Sequence, residues 1–89
     1  MAHLIVRHQV KDYTAWRAVY DGLLPERRAN GELSDNVFRD LEDPTQVTIV
    51  QSFESAEAIA KWTQSETLQN AMARAGVMGP PAIYVAEEA

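Results

Sequence analysis

The spacing of apolar residues changes along this chain from every second position to every third or fourth and back again, and no other feature restricts the fold as much. His3 to Val10 alternates and is rich in β-branched residues, which puts Leu4, Val6, His8 and Val10 on one strand face and His3, Ile5, Arg7 and Gln9 on the other. Tyr13, Trp16, Tyr20, Leu23 and Leu24 then recur at helical spacing behind Asp12, whose carboxylate suits an N-cap. Pro25 has no N–H to donate and its ring crowds the carbonyl of Asp21, so a kink or break is expected there. A restarted turn should end by Asn30, ahead of Gly31.

Alternation returns in Ser34 to Leu41 and Gln46 to Phe53, and Glu42-Asp43-Pro44-Thr45 between them has the residues of a tight hairpin connection. Ser55 caps a second helical stretch carrying Ile59 and Trp62; Ser65 caps its continuation with Leu68 and Met72, and Gly76 stops it. Pro80-Pro81 precede a short last strand, Ala82 to Ala86. The order βαββαβ predicts an α+β, ferredoxin-like fold, a four-stranded antiparallel sheet built by residues 1–89 as one domain. Ile5 lies opposite Leu4 and Val6, and Val50 opposite Val47, Ile49 and Phe53, so both sheet faces carry apolar side chains. Two helices cover only one face; the other is expected to meet an identical chain in a homodimer.

Composition narrows the function classes. With 46% apolar and 24% charged residues the 89-residue chain is globular, not disordered. A net charge of −5 and Arg27-Arg28 as the sole adjacent basic pair leave no footprint for a polyanion, so nucleic acid is not expected as a partner. The absence of cysteine removes disulfides, thiolate nucleophiles and Cys-type zinc sites. Apolar runs are far shorter than the roughly 20 residues of a membrane helix, so no membrane partner is expected. Met-Ala-His-Leu-Ile-Val-Arg-His lacks the basic and apolar regions of a secretory signal, and a cytoplasmic location is the expectation.

His8 is the acid–base candidate, because histidine alone titrates near neutral pH without perturbation and His8 shares a face with Leu4 and Val6. His3, five residues away, points to the opposite face, so the two do not share a metal and no metal site is expected. Trp16, Tyr20, Trp62, Met72 and Tyr84 are candidates to line a pocket for a flat apolar molecule, with plain core packing as the competing role. Asp21 stands where the break at Pro25 could open a polar anchor beside the aromatic stripe; a solvated pair with Arg28 is the simpler alternative. Glu54, Glu57, Glu87 and Glu88 read as solvated charges.

The run Val-Arg-His-Gln-Val-Lys-Asp-Tyr-Thr-Ala-Trp at 6–16, with Asp21, Arg28, Gly31, Asp43-Pro44, Ser65-Glu-Thr-Leu68, Met72 and Ala75-Gly-Val77, resembles small bacterial antibiotic biosynthesis monooxygenase-like proteins of the dimeric α/β-barrel superfamily. The resemblance spans essentially the whole chain. It implies a barrel formed by two subunits, and a range of activities: cofactor-independent quinone-forming monooxygenases, haem-degrading oxygenases, polyketide cyclases and isomerases. In the quinone-forming type an Asn, a Trp and a Tyr serve the substrate; Trp62 is the one positional match, to the Trp, and the resemblance does not place the other two. The haem-degrading type places a His on the second helical stretch, and Ser55 to Gly76 contains none, so haem is not expected. The resulting expectation is a homodimer that binds a small aromatic or polyketide-like molecule and oxidises it with O₂ as a cofactor-independent monooxygenase. In it Trp62 and Trp16 position the ligand, His8 or Asp21 takes a proton, and Tyr20, Met72 and Tyr84 complete the pocket. Polyketide cyclase or isomerase chemistry and a non-catalytic ligand-binding or stress-associated dimer are the alternatives.

Overall fold

A computed structural model describes residues 1–89. The chain runs β1 (Ala2–Val10), α1 (Tyr13–Gly22), α2 (Leu24–Ala29), β2 (Glu32–Arg39), β3 (Gln46–Phe53), α3 (Ala56–Thr63), α4 (Glu66–Ala75) and β4 (Val77–Glu87). The strands form one sheet in the order β2-β3-β1-β4, antiparallel at each pairing, with the helices packed on one face. This is the ferredoxin-like α+β arrangement, with each helical segment divided in two.

Both divisions follow from local chemistry. Asp12 Oδ1 accepts from the N–H groups of Thr14 and Ala15 at 2.9 and 3.3 Å and starts α1. The break expected at Pro25 falls at Leu23, which closes α1 and opens α2, with Pro25 in the first turn of α2 where its missing N–H costs nothing. In the second half the break is made by a serine. Ser65 Oγ accepts from the Leu68 N–H at 3.2 Å to cap α4, and donates to the Trp62 carbonyl at 2.7 Å, which ties off the last turn of α3. Gly76 ends α4 in the left-handed region at φ 77°, as its position in the sequence predicts.

Two strands depart from their predicted bounds. The last strand begins at Val77, ahead of the proline pair, so Pro80 and Pro81 lie inside it. β4 is an edge strand, paired only with β1, and its register shifts from Gln9↔Met78 to Arg7↔Ala82: two steps on β1 face four on β4. The excess is absorbed by a bulge at Gly79-Pro80-Pro81, with Gly79 at φ 73°, the kind of site where an edge strand tolerates proline. β2 starts earlier than Ser34 and stops before Leu41; Leu41 is fully exposed beyond the strand, whereas Glu32 is buried at its start.

The core comprises two apolar clusters on the helix side of the sheet. One gathers Leu4, Leu23, Phe53, Ile59, Trp62 and Ala71, the other Val10, Trp16, Tyr20, Val47, Ile49 and Ala75; Val6 and Val19 touch both. Leu24, expected on the buried stripe, is instead exposed, because the new helix at Leu24 changes the rotational phase. No helix is long and apolar enough to cross a membrane.

Candidate active site: a cavity between sheet and helices

Between the two clusters lies a cavity of about 290 Å³. Leu4, Val6 and His8 of β1 form its floor with Ile49 and Gln51 of β3; α1 contributes Trp16, Val19 and Tyr20, and α3 and α4 contribute Trp62, Leu68, Ala71 and Met72. Pro81 and Ile83 of β4 line one edge. Five of the seven site residues expected from the sequence thus meet around one space: His8, Trp16, Tyr20, Trp62 and Met72.

Asp21 and Tyr84, also expected there, lie outside the lining. Asp21 follows Tyr20 by one position, about 100° round the helix, and lies on the exposed side, where its carboxylate pairs with Arg17 at 3.0 Å. Nor does it pair with Arg28, which turns to Glu32 instead. Tyr84 stands opposite Ile5 in the β1–β4 register while Ile83 stands opposite Val6, so strand alternation sends Ile83 to the cavity and Tyr84 to the uncovered face, 61% exposed.

The aromatic residues are ordered along α1. Trp16 stacks on Tyr20 with centroids 4.9 Å apart and on Tyr13 at 5.8 Å, and the His8 ring meets Trp16 edge-on at 5.7 Å. The His8 residue is only 6% exposed, and neither ring nitrogen has a hydrogen-bond partner in the protein. Burial lowers its pKa, because the charged form loses its hydration, so the imidazole is neutral at pH 7.

Beyond Tyr20 the wall becomes polar. The Arg27 guanidinium lies over the Tyr20 ring, 3.8 Å from its centroid, and its Nη1 donates to Glu32 Oε2 at 3.0 Å and Asp35 Oδ2 at 3.2 Å. Glu32, with no exposed side-chain surface, also accepts from Gln51 Nε2 at 2.6 Å and from Arg28 Nε at 3.0 Å. Tyr20 Oη donates to Asp35 Oδ2 at 2.7 Å. Burial raises the Tyr20 pKa well above the phenolic range, reinforced by this hydrogen bond to a carboxylate, so Tyr20 stays protonated. Asp35 is pushed up by its own burial, but hydrogen bonds from Tyr20 and Arg27 and the charges of Arg27 and Arg28 outweigh that and hold it below the ordinary carboxylate value. The two arginines and two carboxylates balance in charge.

Sequence reasoning missed this cluster. Its one legible signal is Gln51, a polar residue between Ile49 and Phe53 on an otherwise apolar strand face. Arg27 and Glu32 carry no comparable mark, because charged side chains at a helix end and a strand start are ordinarily solvated. No three His, Cys, Asp or Glu side chains converge as metal ligands.

The profile of the antibiotic biosynthesis monooxygenase family matches residues 2–74, from β1 through most of α4. The chain belongs to that family. Solved structures agree on the fold. A Bordetella bronchiseptica protein assigned to the same family superposes with a TM-score of 0.82 at 19% identity, over 99% of this chain and 96% of its own. A family protein from Caulobacter crescentus gives 0.80 at 16% identity, over 99% and 89%, and a conserved protein from Methanosarcina mazei 0.79 at 14%, over 99% and 92%. At such identities the likeness establishes the architecture of a family member and leaves its chemistry to the side chains. No curated protein sequence matches this one.

Proposed function

We propose that this family member binds a small aromatic or polyketide-like molecule in its cavity and oxidises it with O₂ without a cofactor, acting as a homodimer. The observation that carries the reading is an apolar cavity of about 290 Å³ whose floor holds a neutral histidine with both ring nitrogens unpartnered. Neither ring nitrogen is taken up by a protein group, so His8 is open to a hydrogen bond with a hydroxyl in the cavity. The uncovered sheet face, with Ile5, Val50 and the exposed Phe38 and Tyr84, offers apolar surface to a second copy.

In this reading Trp16 and Trp62 hold the ring system and His8 takes the proton of an activated hydroxyl. The electron-rich ring carbon then bonds to O₂; one oxygen atom stays as a quinone carbonyl, the other leaves as water, and the substrate supplies all four electrons. The apolar walls keep bulk water from quenching the anion. Oxygen uptake on a panel of quinol- and anthrone-type compounds tests this. The expected result is one O₂ consumed per quinone formed, with His8→Phe slower by about 10²-fold or more. Equal rates in wild type and His8→Phe overturn the role of His8, and conversion at full rate under nitrogen replaces oxygenation with cyclase or isomerase chemistry.

A further inference from the structure

Resting on the reading of this cavity as a site of O₂ chemistry, we infer that Trp16 and Tyr13 form an outward path for oxidising equivalents, from the cavity wall to the protein surface. An oxygen-centred radical left in the cavity by a misdirected reaction is then quenched before it damages the wall. The spacing, exposure and charge of three rings on α1 carry the inference.

The rings are continuous. Tyr13, Trp16 and Tyr20 follow one another at three- and four-residue steps, which places them on one stripe of the helix. Trp16 is stacked against both neighbours, with centroids 5.8 Å from Tyr13 and 4.9 Å from Tyr20 and interplanar angles of 29° and 14°. Stacked rings exchange an electron readily, and indole and phenol are the side chains that give one up most easily in a chain without cysteine. Trp16 lines the cavity and is 3% exposed, whereas Tyr13 lies outside the lining and is half-buried at the start of α1. The stack therefore reaches from the cavity to solvent.

Charge gives the path its direction. Tyr20, at the inner end, lies beneath the Arg27 guanidinium at 3.8 Å, and Arg17 stands 5.7 Å from the same ring. Cations over a ring face are held by its electron density and oppose the removal of an electron. Tyr20 also keeps its proton: its hydroxyl donates to Asp35, a carboxylate held below the ordinary value, against its own burial, by Tyr20, Arg27 and Arg28. No cation lies over Trp16, and its edge-on neighbour His8 is neutral. Tyr13 carries Arg39 at 4.0 Å, but at the surface its phenol releases a proton on oxidation, and the product is a neutral radical that the cation does not oppose. An electron lost from Trp16 is thus replaced from Tyr13 rather than from Tyr20.

The step balances. A peroxyl radical in the cavity takes an electron and the indole proton from Trp16 and becomes a hydroperoxide. Trp16 recovers an electron from Tyr13 and a proton from solvent, and Tyr13 releases its phenolic proton to solvent. A dissolved thiol then gives a hydrogen atom to the tyrosyl radical and leaves as a thiyl radical.

Laser flash photolysis without any substrate tests the path, because it creates an indole radical directly and indole and tyrosyl radicals differ in their absorption spectra. Wild type, Tyr13→Phe, Tyr20→Phe and Trp16→Phe are compared, with circular dichroism to confirm folding; if Trp16→Phe does not fold, Tyr13→Phe alone decides. The indole radical should decay into a tyrosyl radical in wild type and Tyr20→Phe, with most of the tyrosyl signal lost in Tyr13→Phe and Trp16→Phe. Absence of transfer in wild type overturns the path, as does a tyrosyl signal that survives Tyr13→Phe. Equal loss in Tyr20→Phe and Tyr13→Phe overturns its direction. Turnover tests its use. On the quinol- and anthrone-type compounds Tyr13→Phe should start at the wild-type rate but lose activity after fewer turnovers, with mass spectrometry showing oxygen added to Trp16. Equal endurance without added oxygen overturns the protective role. If wild type consumes no O₂, the reading of the cavity fails and the protective role falls with it, while photolysis still decides the path.

Discussion

The two halves of the chain supply the cavity with different chemistry. The first, from β1 to β2, contributes a histidine, a stacked Trp16–Tyr20 pair and a buried arginine held by two carboxylates. The second, from β3 to β4, contributes Trp62, Leu68, Met72 and Ile83, and sends only Gln51 into the charge cluster. Each half has a broken helical segment, but the breaks differ. At Ser65 one hydroxyl bonds the end of α3 and the start of α4, and Trp62, Thr63, Leu68 and Gln69 line the cavity on either side of the junction. At Leu23 the proline-started α2 departs from the line of α1 and carries Arg27 inward, over Tyr20. A pseudo-repeated fold thus lines one cavity with two walls of different chemistry.

The contrast can be broken most forcefully from the apolar side. Trp62 is 1% exposed within a closed cluster, and Trp62→Ala should cost about 4 kcal/mol in urea unfolding. A loss below about 1 kcal/mol would mean that the second half is loosely packed and that the two halves do not differ as described. On the polar side, Glu32→Gln keeps the shape but leaves Arg27 with Asp35 alone, for an expected loss of about 3 kcal/mol by the same measurement. A neutral or stabilising outcome would show that the ion cluster serves the site rather than the fold.

The smallest effect sharpens the boundary between the halves. His8 has a lowered pKa in the folded protein, so on acidification the unfolded chain takes up the proton first. Stability should therefore fall as pH drops below about 6.5, by at most about 1.4 kcal/mol per pH unit, down to the folded pKa. The His8 effect begins near pH 6.5, above the Asp35 contribution, which is lost only as pH falls below the ordinary carboxylate value of 3.8. Chemical denaturation of wild type and His8→Phe between pH 7 and 5 isolates the term; parallel curves would show that His8 finds a partner when protonated.

Periodicity carried most of the architecture. The strand and helix order, the caps at Asp12, Ser55 and Ser65, and a break just ahead of Pro25 are each fixed by interactions within a few residues, and all are readable from the chain. The same local reading brought His8, Trp16, Tyr20, Trp62 and Met72 to one cavity, because residues of a buried face share a side. It failed for Tyr84, whose side of the sheet depends on its register with β1, and for the β4 start, where an edge position tolerates the two prolines. It failed also for Asp21, whose exposure is set by which neighbour claims each charge: Arg17 takes Asp21, which leaves Arg28 for Glu32.

By itself the sequence determined the ferredoxin-like order of elements and which residues are apolar enough to enclose a space, since both depend on short-range spacing and transfer from water. Only the tertiary structure decided that Arg27, Glu32, Asp35 and Gln51 meet at one wall of that space and neutralise one another. Burying a charge depends on partners from β2 and β3 arriving together with α2, and no local pattern records such a meeting.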